Sequence, residues 1–99
     1  MQQSKALSAL SALANPARLD LVRLLMPLGA DGMAAGEIGR ALGLSASHLS
    51  FHLGTLEQAG LIAATRQGRS LVYAAQLIDP AMFASLIDDD PQKILPTLI

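Results

Sequence analysis

The sequence predicts a mainly α-helical domain carrying one small β-hairpin. Three observations predict it: a short helical stretch that stops at Gly43, a serine-led helix over residues 45–59 with leucines along one face, and, directly behind Gly60, two apolar segments around a glycine-containing turn. Their order is that of a winged helix-turn-helix, with about five helices and a two-stranded wing, acting as a dimer. Each feature is common by itself. Order and spacing carry the reading, because a helix enters a major groove only when a preceding helix braces it across the backbone.

Leu7, Leu10 and Leu13, interleaved with Ala6, Ala9 and Ala12, recur at helical spacing and predict a first helix over residues 3–14. Asn15-Pro16 supplies a capping side chain and a proline suited to the first helical position. Leu19, Val22, Leu25 and Met26 then form a second apolar stripe that Pro27 ends, with Arg18, Asp20 and Arg23 on the polar side. After a loop containing Gly29 and Gly32, the residues Glu37, Ile38, Arg40, Ala41 and Leu42 predict a short third helix. Gly36 and Gly39 lower its propensity, so tertiary packing must hold it.

Ser45 is a good cap for the fourth helix, where Leu49, Leu53 and Leu56 fall at i, i+4 and i+7 on one narrow face. Segments 61–65 and 71–75 form the hairpin, separated by Arg66-Gln67-Gly68-Arg69-Ser70, where Gly68 can take positive φ. Asp79-Pro80 repeats the capping device, and Met82, Phe83, Leu86 and Ile87 give a fifth helix its apolar face before Asp88, Asp89, Asp90 and Pro91 close it. One domain over residues 1–90 is expected, followed by an apolar tail, residues 91–99, interrupted by Pro96.

Hydrophobic residues make up 52% of the 99 and charged residues 15%. A monomer this small can hardly bury such an apolar surplus, which argues for a second copy as partner. The absence of cysteine excludes a disulfide framework, a thiolate metal site and a thiol switch. No apolar run approaches the ~20 residues that span a bilayer, and the first stretch has no signal-peptide layout, so a cytoplasmic protein without membrane contact is expected. The net charge of −1 conceals a segregation: residues 40–76 hold Arg40, Arg66 and Arg69 against Glu57, whereas residues 79–99 hold Asp79, Asp88, Asp89 and Asp90 against Lys93. A basic middle can approach phosphate while an acidic end repels it; scattered solvated charge is the plainer alternative.

With Leu49, Leu53 and Leu56 turned inward, the opposite face of the fourth helix carries Ser47, Phe51, Gly54 and Gln58, flanked by His48 and Thr55 on one side and Ser50 on the other. Ser45, Ser47, His48, Ser50, Phe51, His52 and Thr55 are the DNA-binding candidates of this helix: hydroxyls and imidazole bond either to base edges or to phosphate, and an outward phenylalanine can touch a thymine methyl. Phe51 could equally be a stray surface aromatic or fold back onto the domain. Arg66 and Arg69, with Gln67, flank the hairpin tip, where a wing reaches a minor groove or phosphates unless they are only solubilising charge.

His48 and His52 stand at i and i+4, also a spacing of metal ligands on a helix. Nothing nearby supplies a third ligand of the right type, so a hydrogen-bonded structural histidine is the stronger reading for His52, which is rotated towards the edge of the core. No acidic residue is spaced to orient either histidine and no nucleophile motif is present, which argues against an enzyme.

These residues resemble the ArsR/SmtB family of bacterial repressors. The run Ala12-Leu13-Ala14-Asn15-Pro16-Ala17-Arg18-Leu19 is similar to the opening of that family's second helix. Gly43-Leu44-Ser45-Ala46-Ser47-His48-Leu49-Ser50-Phe51-His52-Leu53 is similar to its turn and recognition helix, and Leu56-Glu57-Gln58-Ala59-Gly60-Leu61-Ile62 to its approach to the wing. The resemblance covers about residues 5–88. It implies that Ser47, Ser50 and His52, with the variable positions His48 and Phe51, face DNA. It also implies that the first and fifth helices form the dimer interface, through Leu7, Leu10, Leu13, Met82, Phe83, Leu86 and Ile87.

The departures from the family are specific. Its metal sensors use a cysteine motif in the third helix, paired cysteines elsewhere, or a fifth-helix site of aspartate, histidines and glutamate. Here the third helix reads Gly36-Glu37-Ile38-Gly39-Arg40 and the fifth has aspartates without histidine, and carboxylates alone make a poor transition-metal site. After His52-Leu53 many relatives carry a basic residue where this chain has Gly54, which removes one phosphate contact.

The resulting expectation is a homodimeric repressor of double-stranded DNA on a pseudo-palindromic operator, with neither cofactor nor metal. The rival is a winged-helix protein-interaction module using the Phe51 face or residues 94–99; a zinc-responsive sensor through His48 and His52 is a third reading. Control falls to an unknown small organic effector near the dimer interface or to the level of the protein alone, and no residue signature selects between them.

Overall fold

The computed structural model describes residues 3–76. The expected fifth helix, with Met82, Phe83, Leu86 and Ile87, and the tail 91–99 lie outside the described residues. Helix α1 spans Gln3–Leu13 and α2 Pro16–Leu25; Met26–Asp31 then winds as 3-10 turns kinked at Gly29. Strand β1 (Met33–Ala34) is followed by α3 (Ala35–Leu42), α4 (Ala46–Gln58), β2 (Ile62–Gln67) and β3 (Ser70–Ala75).

The face that α1 buries is not its leucine stripe. Ala9 and Ala12 are buried, whereas Leu7 is 57% and Leu10 51% exposed, and Leu13 packs partly buried against the core. Alanine lets the backbone of α1 lie close to α2 and α4, where leucines would hold it off. Asn15 caps α2 as expected, its Oδ1 accepting the Arg18 backbone N–H at 3.1 Å. The buried positions of α2 are Leu21, Val22 and Leu25, so Leu21 joins the expected stripe while Leu19 and Met26 pack at its margin.

A third strand, absent from the hairpin expectation, completes the sheet in the order β1-β3-β2, with β1 antiparallel to β3 through Met33↔Tyr73 and Ala34↔Val72. Gly32 makes this pairing possible: at φ +60° its α-carbon lies so near the Tyr73 backbone carbonyl that a side chain would collide with it.

The turn between α3 and α4 is closed by Gly43 in the left-handed region (φ +67°, ψ +33°), whose N–H, like that of Leu44, donates to the Gly39 carbonyl. Gly39 has a packing reason as well, since a β-carbon there would stand 3.3 Å from Leu49 Cδ2 on α4. The hairpin is tighter than expected. Register continues from Ile62↔Ala75 to Gln67↔Ser70, leaving the two-residue turn Gly68-Arg69 in place of a five-residue connection. Arg66, Gln67 and Ser70 are polar and exposed, so side-chain pattern hides the strand there, but the backbone ladder needs no apolar side chain to continue into solvent. Leu21, Leu25, Ile38, Leu56 and Ile62 form the fully buried centre, bringing α2, α3, α4 and the sheet onto one core.

Candidate nucleic-acid interface

Helix α4 is positioned by its inward leucines, Leu49, Leu53 and Leu56, all buried. Its start is fixed by Ser45, whose Oγ accepts the His48 backbone N–H at 3.3 Å and lies 3.4 Å from Ser47 Oγ. Ser45 is therefore engaged as a cap, while its neighbour Ser47 stands at the exposed start of the helix. Ser47, His48, Ser50 and Phe51 are exposed together with Gly54, and Phe51 is 65% exposed, so it does not fold back onto the domain.

Two candidates lie at the edge of this surface, each with a partner inside the fold. Thr55 is half-buried and its Oγ1 donates to the Phe51 carbonyl at 3.0 Å, which uses its proton within the helix. The half-buried His52 ring lies against Arg18 of α2, with Arg18 Nη1 3.1 Å from His52 Nδ1. It also meets the Phe51 ring edge to face, centroids 5.4 Å apart. Burial first, then Arg18 and His48, hold the His52 pKa below the ordinary histidine value, so the ring stays neutral where a free imidazole would begin to charge. Arg66, Gln67 and Arg69 are exposed at the tip of the wing, which extends beyond the core on β2 and β3.

Sequence reasoning left Arg18 on the polar side of α2 and assigned it no partner. Its Nε donates to the Ala12 carbonyl at 2.7 Å while Nη1 reaches His52, so one side chain joins the end of α1, the start of α2 and the middle of α4. The separation of 34 residues from His52 left no local signal. Among the described residues no group of three His, Cys, Asp or Glu side chains could hold a metal ion, and no helix is long and apolar enough to cross a membrane.

Residues 13–64, centred on the α2–α3–α4 arrangement, match the family model of a helix-turn-helix domain. The HTH-type transcriptional regulator NmtR of Mycobacterium tuberculosis is 36% identical, the match covering 79% of this chain and 68% of that protein. The chain belongs to the helix-turn-helix transcriptional regulators. Within them it is an ArsR/SmtB-like regulator with the winged helix-turn-helix fold. HlyU from Vibrio cholerae superimposes with a TM-score of 0.75 at 30% identity, over 87% of this regulator and 94% of that chain. The solution structure of a homodimeric winged helix-turn-helix DNA-binding domain of a possible ArsR-family transcriptional regulator from Mycobacterium bovis gives 0.76 at 26% identity, over 95% and 84%. The family's members are regulators of transcription and not enzymes.

Proposed function

We propose that this regulator is a homodimeric, sequence-specific repressor that lays two copies of α4 into successive major grooves of a pseudo-palindromic operator and blocks transcription by occupancy. The observation that carries this reading is the exposed surface of Ser47, His48, Ser50 and Phe51 on a helix braced by α3, with an arginine-bearing wing on the same fold. In this reading Ser47, Ser50 and Phe51 meet bases, His52 contributes from the edge of that surface, and Arg66, Gln67 and Arg69 meet backbone or minor groove. Exposed Leu7 and Leu10 on α1, and the homodimeric state of the Mycobacterium bovis domain, support self-association through the first helix. The cytoplasm, where bacterial DNA lies, is the compartment that fits it.

The effector in this reading is a small organic molecule. A groove of about 520 Å3 between α1 and α4, lined by Leu7, Ala12 and Ala59 as well as by Ser8, Ser11, Arg18, Thr55 and Gln58, offers such a molecule both apolar and polar contacts. Release of operator DNA in a screen of small organic molecules tests it.

Selection of genomic fragments by the purified protein at two salt concentrations tests the whole reading. Recovery of a short inverted repeat whose binding weakens with salt is expected. No enrichment at either salt overturns it in favour of a protein-binding module, which the 65% exposed Phe51 and the sparse positive charge favour as the second reading.

A further inference from the structure

Arg18 is held from two directions before it meets the recognition helix. Its backbone N–H is bound by the Asn15 cap, and its Nε donates to the carbonyl of Ala12 in the last turn of α1, where a cation also suits the helix dipole. The remaining reach of the guanidinium ends at His52 Nδ1, 3.1 Å away. A guanidinium can only donate, so Nδ1 must accept; a neutral imidazole has one N–H, which is then on Nε2.

We infer that Arg18 is a positioning residue for DNA recognition: its bond to Nδ1 holds the His52 ring in one orientation and in the Nε2–H tautomer, so that α4 offers a hydrogen-bond donor of fixed sense. The inference rests on the DNA-binding reading above. A donor of fixed sense selects acceptors, such as guanine N7 and O6, thymine O4 or a phosphate oxygen, and rejects the amino groups of adenine and cytosine. The edge-to-face contact with Phe51 extends the effect, because the ring that Arg18 orients also flanks the exposed phenyl group. Donor and aromatic surface are set together.

Protonation undoes the arrangement. A doubly protonated ring would turn an N–H towards the guanidinium, so charging His52 requires release of Arg18. Among the described residues, the ionisable groups acting on the ring are Arg18 from α2 and His48 from α4 itself, and both disfavour its charge. Acidification therefore disorders the donor before it can add a useful positive charge towards phosphate.

The test uses the full chain. Nitrogen-15 NMR of the imidazoles should find His52 as the Nε2–H tautomer in the wild type and a mixture in Arg18→Met. With the selected fragment and a sequence-shuffled duplex as probes, Arg18→Met should lower the ratio of specific to non-specific affinity roughly tenfold, the worth of one good hydrogen bond. It should lower the ratio no further in a His52→Ala background, which has no ring to orient. His52→Asn keeps an acceptor for Arg18 but lacks the distal donor, so it should lose the same ratio without loss of melting temperature, and it carries the test if Arg18→Met does not fold. An Nδ1–H tautomer in the wild type, or losses for Arg18→Met and His52→Ala that add in full, overturns the proposal. A wild type that selects no DNA while showing the expected tautomer removes the DNA-binding reading itself and reduces the Arg18–His52 bond to a structural contact.

Discussion

Arg18 on α2 and His52 on α4 are joined by a 3.1 Å hydrogen bond across 34 residues of sequence. This contact links α2 to α4, and it ties part of the stability of the fold to the protonation of one imidazole. Burial, followed by Arg18 and His48, lowers the His52 pKa in the folded chain relative to 6.5. The unfolded chain then binds the proton more readily, so this contribution to stability is fully present above pH 6.5 and is lost as the pH falls through the folded-state value. The melting temperature should drop over that window, before the carboxylates titrate near about pH 4. His52→Asn should flatten the drop, and a wild-type melting temperature unchanged between pH 7 and pH 5 would contradict it.

Gly54 sits mid-helix on α4, exposed, where an added β-carbon meets nothing within 4 Å. Gly54→Ala should raise stability by about 1 kcal/mol through helix propensity alone. Gly54→Lys should keep most of that gain and make the dependence of log affinity on log salt steeper by about 0.9, the value of one further phosphate contact. Chemical denaturation and a salt titration of DNA binding separate the two effects. A lysine variant whose salt slope matches that of the alanine variant would place Gly54 away from the DNA backbone.

Gly32 and Gly43 both have positive φ but differ in surroundings. A side chain at Gly32 runs into the Tyr73 backbone carbonyl, whereas one at Gly43 meets open space. Gly43→Ala should cost about 1–2 kcal/mol for the left-handed conformation alone. Gly32→Ala should cost more, at least about 3 kcal/mol, because β1 must also move away from β3. Urea denaturation of the two variants checks the order, and equal losses would show that the β1–β3 contact yields easily.

Ser47→Ala and Arg69→Ala should divide specificity from affinity. Loss of a base contact at Ser47 should weaken binding to the selected site by about 1–3 kcal/mol with little change on shuffled DNA. Arg69→Ala, at the wing tip, should weaken binding on every sequence and reduce the salt slope. Uniform losses on all sequences for both variants would exclude Ser47 from base reading.

Leu10 is half-exposed on α1 while the buried face of that helix is made by Ala9 and Ala12. Leu10→Asp should therefore leave the protomer folded and shift it from dimer to monomer, since a charge in the seam has no partner. Sedimentation equilibrium with circular dichroism reads both, and an undiminished dimer would remove Leu10 from the interface.

Much of the architecture was legible because its signals act within one helical turn. Asn15 and Ser45 bond to backbone N–H groups three residues ahead, Gly43 ends α3 by its own left-handed conformation, and Leu49, Leu53 and Leu56 share a face through the helical repeat. Only tertiary structure decided which side of α1 faces inward, because leucines and alanines both recur at helical spacing and the choice depends on how near α2 and α4 approach. It also decided that Met33–Ala34 is a strand: two residues have no period, and their extended form is stabilised by Val72 and Tyr73 far along the chain. The site divides in the same way. Ser47, His48, Ser50 and Phe51 lie outward by helical geometry that the sequence itself contains, whereas the partner of His52 is set by the crossing of α2 over α4. No spacing along the chain encodes that distance, and only the shared core of Leu21, Leu25 and Leu56 brings the two helices together.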